Sequence, residues 1–252
     1  MTPSPVPSST PQPSAASASS ESLLGEDQSD REEINGAAAL VEAVLRHPRR
    51  VIYQLHQGPP GRLILPLLAV AVAFVVVYGL IVGSFSGGLQ WWAAPVKIAA
   101  GMVATAVICV PSLYIFACLG GSPARLHEVA GALCGLLALM TLLLIGFGPV
   151  AWLFSQSTES VAMMGCLHLL FWMVAVRFGV CFLLTAFRHI GLPSEAGVKV
   201  WTVIFLLVSL QMTAALRPLI GTSDDLLPRE KKFFVAHWAD CLKQRTPEKP
   251  AR

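Results

Sequence analysis

The sequence predicts an all-α, polytopic transmembrane helix bundle of about five spans, and three observations carry that reading. Of 252 residues, 54% are hydrophobic and only 13% charged, where a soluble domain carries about 25% charge. The apolar residues gather in five runs near the roughly 17–25 residues that a bilayer requires: Leu63–Phe85, Val96–Cys118, Val129–Phe154, Val161–Phe187 and Val200–Leu216. The connections between them are short, which makes sequential spans antiparallel neighbours.

The elements follow in order. Residues 1–33 form a Pro/Ser-rich tail that turns acidic in "ESLLGEDQSDREE". The tract cannot bury enough surface to offset chain entropy, so it is expected to be disordered. It has neither the basic nor the apolar region of a secretory signal. Residues 34–62 form an amphipathic juxtamembrane region. Ile34, Ala37, Val41, Val44 and Leu45 recur at helical spacing, Pro48 ends or kinks the helix, and Arg49 and Arg50 follow. Such a helix either lies on an anionic membrane surface or packs against the bundle.

The five-span bundle occupies residues 63–219. Gly and Pro mark the connections "SGGLQWWAAP", "LGGSPARLHE" and "RHIGLPSEAGVK", while "SQSTES" has neither. Trp91 and Trp92 lie in the first of these. They are expected in the interfacial belt, ring buried and N–H wet. Pro66 and Pro111 fall inside spans, where neighbouring helices accommodate a kink. Residues 220–252 are a basic juxtamembrane helix and tail. There Phe234, Trp238, Cys241 and Leu242 share one face, which suits the headgroup layer or a cap over the bundle end.

Chemistry-bearing motifs are missing from the sequence. The six cysteines show no metal-ligand spacing and read as small hydrophobes. His127-Glu128 lacks the second His of a zinc-protease helix. Gly83-Ser84 and Gly87-Gly88 have only His168 as a potential base, with nothing to join them. No phosphate-binding or dinucleotide fingerprint occurs. The predicted runs contain no carboxylate, which disfavours proton-coupled transport. Glu128 and Glu159 each precede a span, where an acid complements the helix start. The expectation is a non-enzymatic protein with no cofactor, no metal and no nucleic-acid partner. Its partners are the lipid bilayer and a membrane protein or second copy.

One segment resists the apolar reading. "HLLFWMVAVRFGVCFLLTAFRH" carries Arg177 ten residues from Phe187, about 15 Å along a helix. That is near mid-depth in a hydrocarbon core about 30 Å thick. Gln211, eleven residues from Val200, lies about 16 Å deep on the next span. Ser209 and Thr213 are close to it in sequence. A lock in which Arg177 donates to Gln211 therefore follows as an expectation. His168, nine residues from Arg177, falls on the opposite helix face and is expected to bond elsewhere.

Orientation is divided. Arg46, Arg49, Arg50 and Arg62 precede the first span and argue for a cytoplasmic N-terminus. The tail is also basic, from Arg217 to Arg252, and five spans put it on the other side. The first helix often dominates and favours a cytoplasmic N-terminus; the alternative is that one run is re-entrant and both ends are cytoplasmic.

A disordered acidic N-terminal tail, five tightly connected spans and the exit "QMTAALRPLIG" make Leu63–Gly221 resemble the Yip family of five-span membrane proteins, chiefly its bacterial relatives. The resemblance implies a bacterial inner-membrane location, a cytoplasmic N-terminus, no enzymatic activity and a scaffold or adaptor role in membrane organisation or partner recruitment. The basic tail departs from what the resemblance implies. The alternative function is a small-molecule facilitator or transporter component with a polar path around Arg177, Gln211 and His168.

Overall fold

In hydrocarbon every backbone N–H and C=O must be satisfied within the chain, which leaves an apolar run of this length little choice but a helix. Five helices long and apolar enough to cross a bilayer form the body of the protein in a computed structural model, which describes residues 28–59, 61–86, 90–157 and 161–215. Among the described residues the helices are α1 Gln28–Arg31, α2 Ala37–Arg46, α3 Pro48–Gln57, α4 Ile64–Ser86, α5 Gln90–Leu119, α6 Leu126–Gly146, α7 Gly148–Ser157, α8 Val161–Ile190 and α9 Ala196–Ala215. The spans are α4, α5, α6, α8 and α9.

The spans do not pack in chain order. α4 lies between α5 and α6, α8 packs on α6, and α9 packs on α5. The lateral order is therefore α9–α5–α4–α6–α8. α6 is the interior member: 72% of its span is buried within the protein, against 22–39% for the other four. α6 and α8 are antiparallel, with Phe182 against Gly135, and Leu136 and Met140 against Gly179. α5 and α9 are antiparallel too, with Phe116 against Gly197 and Trp201 against Cys109 and Ser112.

Four boundaries differ from the sequence reading. The third run is not one helix through Phe154: α6 ends at Gly146, Phe147 is a turn, and α7 follows. Pro149 has no N–H to continue the ladder, so the axis breaks there. Trp91 and Trp92 belong to the first turn of α5 rather than to a loop, and both are exposed. Pro66 sits in the first turn of α4, where its missing N–H costs nothing. Within the stretch expected to be disordered, residues 28–31 form α1, which packs on α3 with Asp30 buried.

The two placements left open for the amphipathic region are also decided. His47 separates α2 from α3, and both pack on the bundle through Leu40, Ala43, Val44, Val51, Ile52 and Leu55. Leu55 rests directly on Gly131 of α6, where any larger residue would collide with it. The basic tail beyond residue 215, including Phe234 and Trp238, lies outside the described residues.

Candidate functional site

The N-terminal helices are fastened to the bundle by a polar node. Glu128, at the third position of α6, accepts the Arg125 backbone N–H at 2.6 Å through Oε2. This is the helix-start role that its position before a span suggested. Its Oε1 lies 2.7 Å from Nδ1 of His56 on α3. One buried carboxylate thus caps a span and ties down α3.

A second layer of charge covers α3. Arg50 donates to the backbone carbonyls of Glu32 at 2.7 Å and Glu33 at 2.9 Å, and pairs with the Glu32 carboxylate at 3.2 Å. Gln54 donates to the Glu32 carbonyl at 2.6 Å. Arg49 pairs with Asp30 at 3.7 Å and Arg62 with Glu33 at 3.6 Å. The acidic patch that looks like solvated charge in the sequence is thereby the counter-charge of the juxtamembrane arginines.

Two polar contacts join spans inside the bundle. The first is Tyr78 on α4 with His168 on α8, hydroxyl to Nδ1 at 2.6 Å, rings edge-on at 5.6 Å. The His168 Nε2 is buried and has no hydrogen-bond partner among the described residues. In the second, the indole N–H of Trp201, fully buried on α9, donates to the Cys109 carbonyl at 3.2 Å and to Ser112 Oγ at 3.1 Å on α5. This happens beside Pro111, where the α5 ladder lacks one N–H. Inter-helix hydrogen bonds of this kind contribute roughly 0.6–1.7 kcal/mol in membranes.

The polar residues singled out from the sequence do not converge. Arg177 is exposed on the outer face of α8 and hydrogen-bonds the Cys181 sulfur one turn along its own helix. Gln211 is exposed on α9. Because α9 packs on α5, the structure does not join Arg177 to Gln211 within one chain. Sequence adjacency and matched depth do not make neighbours when the connecting loop lets the last helix turn to another partner. Thr213 donates to the Leu210 carbonyl of its own helix at 2.7 Å, and Ser209 is half-buried. His168 does lie on the inward side of α8, opposite Arg177, as the helical arithmetic required.

Sequence reasoning missed Tyr78 and Trp201, although each carried a signal. A Tyr or Trp well inside a span has a polar atom that needs a partner. It also passed over Lys97, which is buried two turns into α5. The arrangement as a whole defines a multi-pass helical membrane protein whose inter-helix polar contacts fasten the bundle together. Compared with known protein families, curated proteins and solved structures, the chain matches none.

Proposed function

We propose that this protein is a non-enzymatic membrane scaffold or adaptor: its bundle holds a charged N-terminal helical module at one membrane surface, where it recruits partners. The observation that carries the reading is the dispersal of the polar residues. Arg177 and Gln211 face outward on different helices and His168 faces Tyr78, while the centre is filled by the apolar α6. A facilitator built around Arg177 would need these groups along one path. By contrast, the described polar contacts around α3 are spent on docking, through Glu128, Arg49, Arg50 and Arg62.

The same reading places the N-terminal module in the cytoplasm of a bacterial inner membrane. Arg46, Arg49, Arg50, Arg62, Arg125 and Arg188 all belong to the end at which α4 begins, α5 ends and α8 ends. The connections at the opposite end, residues 87–89 and 158–160, contain no Lys or Arg, although the sequence that follows α9 carries eight. Cationic loops stay on the cytoplasmic side. The Yip-like resemblance of the five-span region supports the same assignment.

Two measurements on the full chain test the function together. Tracer release from proteoliposomes loaded with small polar solutes should show no protein-dependent flux. Crosslinking in intact membranes should capture partner proteins, and deletion of residues 1–33 should release them. Saturable flux abolished by Arg177→Leu would overturn the scaffold reading in favour of the facilitator.

A further inference from the structure

The edges of the bundle carry information that its interior does not. α8 and α9 are the two outer members of the lateral order, and each turns a helical stripe outward. On α8 the exposed residues Cys166, Leu170, Met173 and Arg177 follow at steps of three and four. On α9 the exposed residues Val200, Val203, Leu207 and Gln211 do the same. That spacing keeps each set on one face of its helix. Each stripe bears one strongly polar side chain.

The two polar residues lie at one depth. Arg177 is thirteen residues from Ile190, and Gln211 is fifteen residues from Ala196. Measured from the shared end at residues 191–195, these are about 20 Å and about 22 Å. α8 has 30 residues, about 45 Å of helix, so Arg177 stands near the midplane of a core about 30 Å thick. Snorkelling from there reaches neither headgroup layer fully. Within the chain its five N–H donors meet only the weakly accepting Cys181 sulfur among the described residues.

We infer that α8 of one copy packs antiparallel against α9 of a second copy, with the Arg177 guanidinium donating to the Gln211 side-chain carbonyl across the contact. This register sets Leu207 beside Cys181 and Val203 beside Leu184, both half-buried on α8. The exposed α9 face thus meets the α8 face between Arg177 and Arg188, while Cys166, Leu170 and Met173 lie beyond the level of Gln211. The alternatives fit worse. Pairing α8 with α8 would bring two guanidinium groups together at mid-depth, and pairing α9 with α9 would leave Arg177 in lipid. A closed assembly, whether a two-fold pair making both contacts or a ring, satisfies every Arg177. The inference stands apart from the scaffold reading, since it concerns how copies meet and not what they recruit.

Disulfide trapping in native membranes tests it, using full-length chains whose six cysteines are replaced. One tagged chain carries Arg177→Cys and a differently tagged chain carries Gln211→Cys. The expected result is a mixed-tag dimer on oxidation, at least tenfold above either chain alone. A dimer from Arg177→Cys alone means α8–α8 packing and overturns the inference, as does the absence of a mixed dimer. Placing both substitutions in one chain adds a further arm. Bridging within that chain, with no dimer, overturns it too. Energy transfer between two fluorescently labelled wild-type copies, diluted in lipid, needs no change at the contact. Transfer that survives dilution to a hundredfold lipid excess is expected, and its loss to the random-mixing level overturns the inference.

Discussion

α6 and α8 are built from similar apolar residues, yet one is the interior of the bundle and the other its edge. α6 is buried over 72% of its span and α8 over 39%. In a soluble protein such a difference shows as amphipathic periodicity, but lipid is as apolar as Leu, so neither helix needs a polar outer face. What separates them is finer. α6 has Gly131 and Gly135 where Leu55 and Phe182 approach, and it carries no charge beyond its first turn. α8 keeps a cation at mid-length and puts it outward. Interior position therefore follows from which helix accepts close neighbours.

The contrast can be broken most strongly at the start of α6. Glu128→Leu removes the cap of that helix and the partner of His56. Loss of a cap and of a hydrogen bond to a charged group is expected to cost about 3 kcal/mol. Unfolding in mixed micelles reads it, and protease access to residues 28–57 should rise in parallel. Gly131→Leu tests the same region by volume. Overpacking against Leu55 is expected to cost about 2 kcal/mol, and Leu55→Ala in the same chain should recover part of it.

Trp201→Phe should have a smaller effect. It keeps the buried ring but deletes the hydrogen bonds to Cys109 and Ser112, for an expected loss of about 1 kcal/mol. At the edge the sign reverses. Arg177→Leu should leave unfolding of the dispersed monomer nearly unchanged, because no other span holds the guanidinium. Membrane insertion should improve by about 3 kcal/mol, read as the inserted fraction in a translocation assay.

The smallest effect is at the α8–α9 connection. Hydrogen bonds from Arg188 and then Lys199 hold the Glu195 carboxyl down at about 2, against an ordinary 4.5. A carboxylate lowered on folding stabilises the folded state fully above its ordinary value and loses that contribution as pH falls toward the folded one. The difference in unfolding midpoint between wild type and Glu195→Gln should therefore be constant near neutrality and shrink between about pH 5 and pH 2. Exposure and salt keep it small.

Much of this architecture was legible because bilayer physics is strict. Length, composition and short connections are enough to give five helices, Pro48 marks the end of the first amphipathic helix, and Glu128 marks the start of a span. What the sequence hid was lateral order. Matched depth suggested that Arg177 and Gln211 meet within one chain, but depth fixes only one coordinate of a helix in a bilayer. The indole of Trp201 and the small surface of Gly197 supplied the missing one by drawing α9 onto α5. The docked N-terminus was hidden for a related reason. Its acids look solvated until Arg49 and Arg50 on α3 and Arg62 just before α4 are brought beside them.

Lateral order is the claim on which the rest stands, and a pair of intrachain disulfides tests it directly. A side-chain carbon on Gly197 would lie 3.7 Å from Phe116 Cβ, within the range a disulfide accepts, and 2.8 Å from the Phe116 carbonyl oxygen, so the bridge requires a small displacement of α9 on α5. In cysteine-free protein held at one chain per nanodisc, Phe116→Cys with Gly197→Cys should bridge on oxidation. Arg177→Cys with Gln211→Cys in the same setting should not. Bridging at 177 and 211 without bridging at 116 and 197 would put α9 against α8 and contradict the fold described above.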